Sequence, residues 1–115
     1  MPIPLEIATL VEQLNQELNQ IEGEARQGLN LVRQVMSRFP NNTLLIQFFA
    51  YFNAALFFVE NARRGIQATV EQLSAGNMPL EVIQEAGQDL ATLLGEALEA
   101  KIRGRNIISR LENMQ

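Results

Sequence analysis

The sequence predicts an all-α protein of three long antiparallel helices, arranged up-down-up as a bundle and paired with a second copy into a six-helix dimer. Three observations carry that prediction. Apolar residues recur in alternating steps of three and four along nearly the whole chain. Proline, glycine and asparagine interrupt this pattern in only two places, around residues 40–43 and 76–79. Finally, residues 44–59 are apolar on nearly every side rather than along one stripe, so a helix there needs burial all round.

The first helix is expected over about residues 4–39. Pro4 suits a first helical turn, and Pro40 followed by Asn41, Asn42 and Thr43 stops the helix and offers caps for the next. Ile7, Val11, Leu14, Leu18, Ile21, Ala25, Gly28, Val32, Val35 and Phe39 form an unbroken heptad seam.

The second helix is expected over about 43–75, with Gly76 as its left-handed C-terminal residue. It carries two seams side by side. One is Leu45, Phe49, Phe52, Leu56, Val59, Arg63, Ile66, Val70 and Leu73; the other is Leu44, Phe48, Tyr51, Ala55, Phe58, Ala62, Gly65 and Thr69. Two seams imply two sets of neighbours, which makes this helix the expected central element.

Asn77 as a cap and Pro79 in the first turn open the third helix, expected over about 79–113. Its seam is Ala86, Leu90, Leu93, Ala97, Ala100, Gly104, Ile107, Leu111 and Met114. Each helix would span roughly 50 Å at about 1.5 Å per residue. Connections this short force consecutive helices antiparallel. The glycines at 28 and 104 would let helices approach closely or make room for phenylalanines, or else leave a cavity.

The 115 residues make one domain, 1–115. Cys, His and Trp are absent, so there is no disulfide framework, no thiolate, and no imidazole for metal binding or near-neutral proton transfer. No metal and no cofactor is expected. The start, Met1 to Glu6, lacks the basic region and apolar run of a signal peptide, and a cytoplasmic location is the expectation. Residues 44–59 fall short of the roughly 20 a bilayer requires and are interrupted by Gln47 and Asn53, which argues against membrane insertion. A formal charge of −4 argues against general nucleic-acid binding.

Mapped onto an up-down-up bundle, the charges separate. The end with the start of the first helix holds eight carboxylates and two arginines, net −6; the other end holds seven cations and five carboxylates, net +2. A second copy docking antiparallel would set basic ends beside acidic ones, which orients more than it stabilises.

Expected interface residues are Leu44, Phe48, Phe49, Tyr51, Phe52, Ala55, Phe57, Phe58 and Ala62, with some of the aromatics filling the monomer core. Asn53, flanked by Ala50 and Phe57, would pair with its symmetry mate or face water. Arg63 and Arg64, together with Lys101, Arg103 and Arg105, are candidate anion contacts, although Arg63 on its seam would snorkel or pair with a neighbouring carboxylate, and a solvated helix end with favourable dipole interaction explains the cations of the third helix more cheaply. The acidic ladder Glu81, Glu85, Asp89 reads as a solvated face. No catalytic residue is assigned. The reading is a non-enzymatic bundle that self-associates, a homodimer, and scaffolds a further protein. A bundle enclosing a small molecule or lipid is the alternative, and requires a sizeable internal cavity. A small dimeric enzyme would require Arg63 and other cations to converge in one pocket. A nucleic-acid-associated accessory role would rest on the basic group of the third helix.

Overall fold

A computed structural model describes residues 3–115. It contains α1 (Leu5–Met36), α2 (Thr43–Ser74) and α3 (Leu80–Met114), with no strand among the described residues. They form a rod of 58 × 17 × 17 Å. The fold is the predicted all-α bundle.

The helix ends differ from expectation by a few residues, each for a local reason. Pro4 and Pro79 cap α1 and α3 from outside rather than sitting in their first turns, with extended ψ of 142° and 148°. Their carbonyls accept from Ala8 and from Val82 and Ile83. α1 ends at Met36 and not at Phe39, because the residue before Pro40 is driven out of the helical region. Phe39 consequently leaves the seam and is exposed. Asn42 caps α2, its Oδ1 accepting from the amides of Leu44 (2.9 Å) and Leu45 (3.3 Å). At the far end, Gly76 takes φ 85° and Asn77 φ 55°, so Asn77 helps reverse the chain rather than capping α3.

The core follows the seams. Leu14, Leu18, Val32 and Val35 of α1, Leu45, Phe52 and Val59 of α2, and Leu111 of α3 are the largest fully buried side chains. No polar or charged residue is buried among the described residues. Gly28 makes room for this packing, since a β-carbon there would overlap the ring of Phe52.

The central element is α1, not α2. α1 packs along both other helices, whereas α2 and α3 meet over a short stretch only. Ion pairs reinforce the arrangement. Arg63 reaches from α2 to Glu22 (3.1 Å) and Asn19 (2.7 Å) on α1. On the other side, α3 is held to α1 by Lys101–Glu17 (2.5 Å) and Arg105–Glu24 (2.6 Å). The doubled seam of α2 predicts a central helix with two packed interfaces, but the second seam is only half covered.

Candidate association surface

α2 presents three faces, each with its own surroundings. The first seam faces α1, where Phe52 rests on Gly28 and Arg63 meets Glu22. The second seam faces α3 across a groove. Tyr51, Ala55, Phe58, Ala62, Gly65 and Thr69 of that seam all line it. Opposite them on α3 are Asp89, Leu90, Leu93, Glu96, Glu99, Ala100 and Arg103. Two cavities of about 490 and 270 Å³ make up this groove and join at Phe58 and Glu96, which line both. Tyr51 bridges it near one end by donating from its hydroxyl to the Ala100 carbonyl at 3.1 Å. Burial raises the pKa of this phenol above its usual 10.0, with the Glu24 carboxylate adding to the rise and Arg103 opposing it.

The third face points away from both neighbours. Ile46, Ala50, Asn53 and Phe57 recur there in steps of four, three and four, and all are exposed. Phe57 is 69% and Ile46 51% accessible. Asn53 satisfies its own amide by donating to the Phe49 carbonyl at 3.2 Å. No charged residue occurs between Thr43 and Val59.

The predicted interface residues therefore divide. Phe48, Phe52, Ala55 and Ala62 are buried in the monomer. Leu44, Phe49, Tyr51 and Phe58 are partly covered by the bundle, and Phe57 alone of the nine is exposed. Two arginines of the basic end, the end to which the sequence also assigns the aromatic cluster, cover part of that cluster: Arg110 of α3 lies 5.3 Å from the Phe48 ring centroid and Arg33 of α1 lies 5.9 Å from that of Phe49. The exposed Ile46 was missed, because it belongs to neither seam.

The candidate anion contacts are each engaged elsewhere. Arg63 and Arg105 pair with α1 carboxylates, as does Lys101, while Arg64 pairs with Glu60 (2.6 Å) and Arg103 approaches Glu99 (4.0 Å). Arg63 belongs to the α1–α2 interface and Lys101 and Arg105 to the α1–α3 interface. Arg63 and Arg64 share a cavity of about 330 Å³ with Arg26, where Glu22 and Glu60 between them pair with all three, while Lys101, Arg103 and Arg105 lie outside it. Glu22 receives hydrogen bonds from Arg63 and more weakly from Arg26, which lower its carboxyl pKa below the usual 4.5 against the opposing effect of burial. Glu24 likewise raises the already high pKa of Arg105.

The void bounded by Ile21, Ala25, Phe52, Ala55 and Gly104 measures only about 10 Å³, room for a single water at most. Among the described residues no three acidic side chains come together as a metal site. No family model, no curated protein and no solved structure matches the chain.

Proposed function

We propose that this protein is a non-enzymatic association module that works as a homodimer joined through the outer face of α2. The observation that carries this reading is the exposed, charge-free stripe of Ile46, Ala50 and Phe57 on the outer face of α2. By length and composition α2 could also cross a membrane. Insertion would strip Leu45, Phe52 and Val59 from α1, all of them essentially inaccessible in the bundle, and is therefore favoured less than the packed bundle.

A second copy suits this face better than an unrelated partner because the face is complementary to itself. In an antiparallel pair related by a two-fold axis near residues 50–54, the small Ala50 and Ala54 lie at the crossing and permit close approach. Ile46 then packs against Phe57 of the partner subunit, and the reverse. The charge-free stretch removes any repulsion at the axis, and because the axis lies near the start of α2, the acidic ends of the two rods project in opposite directions and do not face each other.

Ile46→Asp and Phe57→Asp test this reading, since both positions are exposed and neither fills the core. Light scattering after size exclusion is expected to show the mass halved by either substitution, with helix content unchanged by circular dichroism. A mass unmoved by both substitutions rules this face out.

A further inference from the structure

We infer that the groove between α2 and α3 is a receptor site for a basic amphipathic helix supplied by a different protein. The groove adjoins the proposed dimer face and shares Ala54 with it at the smaller of its two cavities, but Phe57 and Ile46 do not line it, and the larger cavity from Phe58 to Thr69 lies beyond the dimer face.

The groove has the dimensions and chemistry for a helix. From Tyr51 to Thr69 along α2 it runs for about 27 Å at about 1.5 Å per residue. Its floor is apolar and contains Phe58, Ala62, Ile66, Leu90 and Leu93. Gly65 opens the floor further, since a β-carbon there would meet no atom of the bundle within 4 Å. An apolar trough of this length, lined by side chains one helical turn apart, accepts the apolar stripe of another helix.

The charges on the rim determine which helix fits. Asp89, Glu96 and Glu99 stand along the α3 wall, and the single cation in the lining, Arg103, lies 4.0 Å from Glu99. Asp89 and Glu96 form no ion pair among the described residues. An incoming helix flanked by Lys or Arg would place its cations against these carboxylates, while an acidic one would be repelled. The helices of this chain are poorly suited to the role. The exposed sides of α1 and α3 mix both signs, and α2 lacks flanking cations over its apolar half.

The test uses two fluorescein-labelled synthetic peptides of about 18 residues, long enough to span the groove. One carries Leu at heptad a and d positions with Lys flanking them; the other replaces each Lys with Glu. Fluorescence anisotropy with the full chain is expected to show saturable binding of the Lys peptide, weakened by salt, and none of the Glu peptide. Gly65→Leu fills the trough with a better helix former, and Glu96→Lys with Glu99→Lys inverts the rim. Each is expected to weaken binding roughly tenfold or more, while Glu12→Lys, on the exposed side of α1, and Phe57→Asp leave it nearly unchanged. Equal binding of the two peptides, or Lys-peptide binding unaffected by Gly65→Leu, overturns the inference. It is also overturned if Gly65→Leu converts a dimer to a monomer, because the groove would then belong to the second copy. Loss of the dimer in Phe57→Asp with peptide binding intact would show that the two surfaces act independently.

Discussion

The ring of Phe52 on α2 occupies the space that a side chain at Gly28 on α1 would take. A β-carbon built at residue 28 would fall within van der Waals overlap of the ring's Cζ, Cε1 and Cε2 atoms. Phe52 is 1% accessible and is the largest fully buried side chain, so the ring has nowhere to retreat. Glycine in mid-helix costs about 1 kcal/mol relative to alanine; here that cost is offset by the burial of a whole aromatic ring.

Gly28→Ala is therefore expected to lower stability by about 1–3 kcal/mol through overpacking, despite the better helix propensity of alanine. Urea denaturation monitored by circular dichroism measures it. Adding Phe52→Leu should recover part of the loss, since the smaller side chain vacates the contested space.

Gly104→Ala should act in the opposite direction. Gly104 is buried on the α3 seam, yet a β-carbon there would meet nothing within 4 Å, and a small void adjoins it. A gain approaching about 1 kcal/mol is expected from propensity alone, seen as a higher urea midpoint. The two glycines share a seam pattern in sequence and differ in sign because only one faces a phenylalanine.

Acid sensitivity should arise in part from Glu22. Its pKa is lower in the folded protein than in the unfolded chain, so the stabilisation it gives is complete above the ordinary carboxyl value of 4.5. That stabilisation is lost as pH falls through the lower folded value. Glu22→Gln is expected to be somewhat less stable than the parent at pH 7, with the gap closing below pH 4.5. Unfolding curves across that range check it; a gap independent of pH would mean that the Arg63–Glu22 pair does not contribute this way. The effect is small, because both partners are about a third exposed.

Removing the α2 cap should cost about 1 kcal/mol. Asn42→Ala deletes the Oδ1 that serves the Leu44 and Leu45 amides, and thermal unfolding would report it as a lowered midpoint.

Much of the fold was legible because its periodicity is strict. The seams predicted Leu14, Leu18, Val32, Phe52, Val59 and Leu111 as core, and the breaks at Pro40 and Gly76 located both turns. The order of packing was not legible. Two seams on α2 announce two neighbours but not how closely each neighbour packs, and the half-covered seam is a tertiary property that depends on how α1 holds the other two helices. The cations were misleading for a related reason. Lys101 and Arg105 look free in sequence because their partners Glu17 and Glu24 lie 84 and 81 residues away on another helix. The outer stripe from Ile46 to Phe57 was hidden within a run that is apolar throughout, and only the placement of α1 and α3 separates it from the core.

Native mass spectrometry of the purified chain tests the central claim most directly, because it weighs the assembly and any retained molecule together. Self-association through α2 predicts a single species at twice the chain mass of 12.9 kDa that falls to one chain in Phe57→Asp. A monomeric parent at micromolar concentration would contradict it.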